Sequence, residues 1–144
     1  MTEKEFWNII DRSAHNEWKK LKKSLVQKLE VLGKESLLQY SEYFQSHYFE
    51  LYRSDLFDLV SEKMILNEDA FNVLRKWIIY QGSDIYNLAI SSQEAFVVYL
   101  IENIKEKYYF VDNPDFNVPQ RSIFYKKFNE DVYTKLKSHP EKMK

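Results

Sequence analysis

The stretch NEDAFNVLRKWIIYQGSDIYNLA, residues 67–89, decides the fold because it marks its own start, buried face and stop. Asn67 is a favoured N-cap residue, and Glu68 and Asp69 place negative charge at the positive end of a helix dipole. Phe71, Leu74, Ile78 and Gln81 recur at steps of three and four residues, which aligns them on one helical face. Gly82 follows at once. A glycine just past the last periodic residue can take the left-handed conformation that closes a helix, and Ser83 can cap a second helix carrying Ile85, Tyr86, Leu88 and Ala89. The unit reads as helix, tight corner, helix.

Outward from this unit, composition points the same way. The 144 residues suit one domain, 1–144, with a frayed tail from about residue 138. At that size folding buries roughly two thirds of the surface an unfolded chain exposes. With 2 Gly and 3 Pro, a sheet needing many tight turns is hard to build, so the expected fold class is all-α, a single irregular bundle of six or seven helices. Aromatic residues make up 17% of the chain and 11 of them are Tyr, whose hydroxyls need water or a partner even where the rings are buried. There is no Cys, hence no disulfide and no thiolate chemistry, which fits a reducing compartment. Residues 1–10 lack the basic cluster and apolar run of a secretory signal. The longest apolar run, residues 95–101, is 7 residues, against the about 20 a membrane helix needs. These features predict a soluble cytoplasmic protein without membrane contact.

Charge is unevenly spread. Residues 1–35 hold 8 basic and 6 acidic side chains, residues 36–70 hold 2 and 7, and residues 105–144 hold 9 and 6. The acidic middle can bias encounter with a charged partner, but the ends fall short of the basic face a nucleic-acid binder needs.

In chain order, Thr2 and Glu5 form a capping box that starts a first helix with Phe6, Trp7, Ile9 and Ile10 on its apolar face. After a break at residues 13–16, Asn16 should cap a second helix striped by Trp18, Leu21, Leu25, Leu29 and Leu32 and stopped by Gly33. Its lysines read as a solvated face, interrupted by Glu17 and Glu30. Residues 35–52 form a third helix, apolar over so much of its circumference that it should lie centrally. Ser54 should cap a fourth helix ending near Leu66. Ser91 or Ser92 should cap a helix containing AFVVYLI, a run whose β-branched residues also suit a strand; continuation through Ile104 and Tyr108 at helical steps favours a buried helix. Residues 111–119 hold two prolines and read as a loop. A last helix from Gln120 should present Phe124, Phe128, Val132 and Leu136 at steps of four. The helix of Trp77 and the helix of residues 95–101 are expected at the centre.

Two of these stretches together resemble a known family. FWNII at residues 6–10 and DAFNVLRKWIIYQGSDIYNLAI at residues 69–90 are similar to an uncharacterised bacterial family, domain of unknown function 4240. An early Phe-Trp helix is there followed by Phe, Arg, Trp, an aliphatic residue, Gln-Gly, then an aromatic before a small residue. Here those positions are Phe71, Arg75, Trp77, Ile78, Gln81, Gly82, Tyr86 and Ala89. DLFDLV from Asp55 resembles the helix just upstream, and where the family tends to carry a glycine-rich turn this chain has ILNEDA. The resemblance covers residues 3–12 and 53–92. It implies a helical bacterial domain with no assigned activity.

Candidate chemistry is sparse. His47 lies three residues before Glu50, on one helical side, but a carboxylate-bridged metal site repeats a Glu-then-His pair on two helices, so no metal is expected and the ring should pack against Tyr43 or Phe44. His15 and His139 fall in a turn and the tail. Gly33 and Gly82 each end a helix, leaving no phosphate-cradling loop, and no cofactor is expected. Arg75, Trp77, Gln81 and Tyr86, with His47, are the candidate ligand or partner-binding residues, as lining for an anionic group. The structural alternative pairs Arg75 with Asp55, Asp58 or Asp69 and has Gln81 serve backbone groups at the corner. No residue is assigned a catalytic role. The leading functional expectation is a non-catalytic protein-interaction or regulatory domain. The alternative is a small-molecule-binding protein or weak hydrolase with a pocket near Arg75 and Gln81, using nearby carboxylates and His47.

Overall fold

The computed structural model describes residues 1–13, 17–104, 118–136 and 143–144. Those residues form eight α-helices and one 3-10 turn, with no strand among them. The helices are α1 (Glu3–Ser13), α2 (Trp18–Glu30), α3 (Lys34–Glu50), α4 (Ser54–Ser61), α5 (Glu68–Tyr80), α6 (Ser83–Ser91), α7 (Gln93–Asn103) and α8 (Pro119–Phe128). The irregular all-helical bundle stands as expected, with a slightly larger helix count. Residues 95–101 lie within α7, so the helical reading of AFVVYLI holds.

Capping explains several starts. The Thr2 N–H donates to Glu5 Oε2 at 2.7 Å and the Glu5 N–H to Thr2 Oγ1 at 3.2 Å, the reciprocal pair of a capping box. Asn67 Oδ1 accepts from the Ala70 N–H at 2.7 Å and opens α5. The corner after α5 depends on Gly82, whose φ of 101° lies where L side chains are rare. There Asp11 of α1, rather than a local residue, closes the start of α6. Its carboxylate accepts from the Ser83 N–H at 3.0 Å and the Ser83 hydroxyl at 2.9 Å.

Three local expectations are corrected. Gly33 does not itself stop α2: the helix ends at Glu30, and Gly33, with an ordinary φ of −72°, is the N-cap of α3. Instead Lys127 of α8 ties off α2 by donating to the carbonyls of Glu30 and Leu32. The last helix does not run on through Val132 and Leu136. It stops at Asn129, which is left-handed with φ of 56°, and a 3-10 turn (Val132–Thr134) capped by Asp131 brings Val132 to the core by another route. Ser54 is the first residue of α4, whose N-cap is Arg53. The expected cap at Asn16, the helical continuation to Tyr108, most of the 111–119 loop, His15, His139 and the tail lie outside the described residues.

α5 is the centre of the core. Phe71, Leu74, Ile78 and Ile79 are wholly buried, and Trp77 is 5% exposed. α3 packs against α1, α5 and α8, as its wide apolar circumference predicts. α7 is less central than expected. Phe96, Val97 and Leu100 are buried against α4 and α6, but Val98 and Ile101 on its other side are 56% and 52% exposed.

Candidate functional site

The five candidate residues occupy three places. His47, in the last turn of α3, and Tyr86, on α6, come together with ring centroids 4.7 Å apart, edge to face. Phe6 and Trp7 of α1 complete the cluster, 5.4 and 4.9 Å from the imidazole. The ring thus packs on α1 and α6, not on its own-helix neighbours Tyr43 or Phe44. Glu3 brings a carboxylate oxygen within 3.2 Å of His47 Nε2, although that nitrogen makes no aligned hydrogen bond. Burial pushes the His47 pKa down while Glu3 and Glu50 pull it up. Burial prevails because the Glu3 side chain is 59% exposed and its charge is screened by water. Burial, aided by the negative charges of Glu50 and Glu3, raises Tyr86 well above an ordinary phenol. A neutral imidazole and a protonated phenol enclosed by indole and phenyl rings make an aromatic clasp joining three helices. Among the described residues no group of His, Asp and Glu is placed to hold a metal ion.

Arg75 sits apart, and it is the largest of the wholly buried side chains. Nη1 donates to the Tyr48 carbonyl at 2.9 Å and Nη2 to Asn72 Oδ1 at 2.7 Å. The guanidinium carbon lies 3.8, 4.4 and 5.5 Å from the ring centroids of Tyr48, Tyr52 and Phe71. Delocalised, weakly hydrated charge under aromatic faces is what lets an arginine sit in a core. Asp55, Asp58 and Asp69 do not pair with it: Asp55 instead meets Arg53 at 3.3 Å.

Trp77 and Gln81 share a neighbour on α7. The Tyr99 hydroxyl donates to Gln81 Oε1 at 2.9 Å, and the Trp77 and Tyr99 centroids are 6.1 Å apart. Gln81 thus holds α7 against the corner, a side-chain partner in place of the expected backbone groups.

Sequence reasoning passed over a cavity of about 220 Å³ between α3, α5 and α8, where Gln45, Lys76 and Gln120 meet Phe44 and Tyr133. A signal existed in α3, where Ser41, Gln45 and Tyr48 recur at steps of four and three residues and so share one side of the helix. Lys76 was overshadowed by Arg75 beside it.

The fold and these contacts define a helical bundle held by aromatic clusters. The sequence model of the family described as "Protein of unknown function (DUF4240)" matches residues 1–125, and the chain belongs to that family. The match extends well beyond the two stretches that carry the resemblance and takes in α2, α3 and α7. No curated protein and no solved structure gives a significant match.

Proposed function

We propose that the chain is a non-catalytic protein-interaction domain that receives, on the outer face of α7, a partner segment with an apolar anchor and basic flanks. One observation carries the reading: Val98 and Ile101, more than half exposed, align at steps of three with exposed Ala95 on a helix whose opposite side is fully buried. A helix apolar all round belongs in a core, and where one side of it meets water the branched side chains favour a second surface. Asp55 and Leu59 of α4 border a shallow groove with Glu94 and Ala95, and exposed Glu102 lies beyond. The rim is acidic, which favours basic flanks and disfavours acidic ones. An apolar ridge beside a groove suits a helix or peptide laid along it. A bacterial, cytoplasmic setting is part of the same proposal; the absence of Cys supports it.

The alternative, ligand binding or hydrolysis around Arg75 and Gln81, has less support. Arg75 is enclosed by three rings and Gln81 is engaged by Tyr99.

A photo-crosslinking residue at Ala95, in the unaltered chain and in a Val98→Lys/Ile101→Lys variant, tests the proposal. The expected result is a discrete adduct with a segment of apolar residues flanked by Lys or Arg, lost in the double variant while the melting temperature is unchanged. An adduct that survives the double substitution, an adduct with a second copy of the chain, or no discrete adduct would overturn it.

A further inference from the structure

Two polar groups in the lining of the cavity between α3, α5 and α8, on Lys76 and Gln120, have no partner among the described residues. Lys76 is half-buried there, no carboxylate is among the lining residues, and no hydrogen bond or ion pair engages its ammonium among the described residues. Its nearest charged neighbour in sequence is Arg75, and burial together with that like charge lowers the Lys76 pKa. Gln120 is 1% exposed and its Oε1 accepts no hydrogen bond. A buried acceptor left open is uncommon and calls for a cause. The cavity also takes in the start of α8, a helix of 10 residues whose N-cap, Val118, offers no side-chain acceptor to the first-turn N–H groups. An unpartnered cation and an uncapped helix N-terminus both call for negative charge, whereas Gln120 Oε1 calls for a donor. Phe44 and Tyr133 supply apolar wall.

Size and access narrow the occupant. A dry cavity of about 150 Å³ is enough for benzene, so about 220 Å³ accommodates one substituted ring. Lys76, Val118 and Tyr133 also line a larger groove between α2 and α8 whose rim carries Lys22 and Lys126, with Arg121 paired to Asp131 and with Glu30 nearby. The basic residues outnumber the acidic ones along that approach, which draws anions toward Lys76.

We propose that this cavity binds a small single-ring organic anion, its carboxylate or phosphate at Lys76 and the start of α8, its ring against Phe44 and Tyr133, and a hydroxyl or amino substituent donating to Gln120 Oε1. This site is independent of the outer face of α7.

Titration of the intact chain at low salt, followed by calorimetry and thermal shift, tests the assignment. The probes are 4-hydroxybenzoate and 4-hydroxyphenyl phosphate, with neutral 4-hydroxybenzamide as the matched control. At least one anion should bind and raise the melting temperature, and the better of the two identifies the head group. The amide should bind at least tenfold more weakly. Lys76→Met should lose tenfold or more in affinity for the anion, and Gln120→Leu should erase the preference for 4-hydroxybenzoate over benzoate. A direct reading on the unaltered sequence guards against a variant that fails to fold: with lysines ¹³C-methylated, the Lys76 signal should titrate at higher pH when the probe is bound. Equal binding of the amide, anion affinity within twofold in Lys76→Met, an unmoved Lys76 titration, or no binding by either anion at millimolar concentration would overturn the proposal.

Discussion

Arg75 is bound to Tyr48 twice over: its guanidinium carbon stands 3.8 Å from the centroid of the Tyr48 ring, and its Nη1 donates to the Tyr48 carbonyl at 2.9 Å. The charge is held by one residue's face and backbone at once, which fixes α5 against the last turns of α3. Truncation would leave a cavity and an unmet carbonyl in the core. Arg75→Ala should therefore cost about 3 to 5 kcal/mol, the range for large buried truncations, and lower the melting temperature by roughly 10 °C. Arg75→Lys should recover little, because an ammonium cannot stack on these rings and reach both acceptors. Chemical denaturation of the two variants checks this. An Arg75→Ala chain as stable as the parent would remove the structural role.

His47 gives a pH signature. Its folded-state pKa is lowered, so the neutral ring is favoured in the fold and the unfolded chain takes up the proton first. Stability contributed by the neutral ring is complete above the ordinary histidine value of 6.5 and drains away as pH falls below it toward the lowered value. Melting temperature should decline as pH falls below 6.5, and His47→Phe should flatten that decline relative to the parent. Parallel curves for the two proteins would contradict the assignment.

Gly82 and Asp11 should be coupled. A Cβ on residue 82 would stand 2.6 Å from Asp11 Oδ1, on a backbone with φ of 101°. The backbone alone makes Gly82→Ala destabilising by about 1 to 3 kcal/mol, and displacement of Asp11 adds the loss of a helix cap, about 1 kcal/mol. In an Asp11→Ala background the second part is already gone, so Gly82→Ala should cost measurably less there. A double-mutant cycle with no interaction energy would show the two residues to be independent.

Lys127 and Lys126 are adjacent and both exposed, yet only Lys127 reaches the carbonyls of Glu30 and Leu32 at the end of α2. Lys127→Met should cost about 1 kcal/mol, the usual net worth of such hydrogen bonds in water. Lys126→Met should be neutral. Equal effects in denaturant titrations would rule out the tie between α8 and α2.

What the sequence discloses depends on whether the cause is local. Asn67 and the Thr2–Glu5 pair act within one turn, and their caps are formed as their spacing implies. The stripe of Leu21, Leu25 and Leu29 is buried because helical period alone selects it. Non-local causes are invisible at that level. The cap of α6 comes from a carboxylate on α1, the stop of α2 comes from a lysine on α8, and Gly33 is left with an unremarkable backbone. Among the candidate residues, identity pointed to Arg75 and His47. The partners that define their roles, Tyr48 and Tyr86, follow only from packing. The cavity beside Lys76 is likewise non-local, assembled by α3 and α8 around a residue of α5.

The clasp between Asp11 and Ser83 also bears on how the chain folds. The two residues are 72 positions apart, so α6 acquires its proper beginning only after α1 has docked. A fragment beginning after residue 17 would carry every contact between α5 and α6 and still leave the Ser83 amide without that carboxylate. The bend at Gly82 is thus fastened from a distance: its shape is local to the chain there, but the carboxylate that secures it is borrowed from a segment 72 positions away.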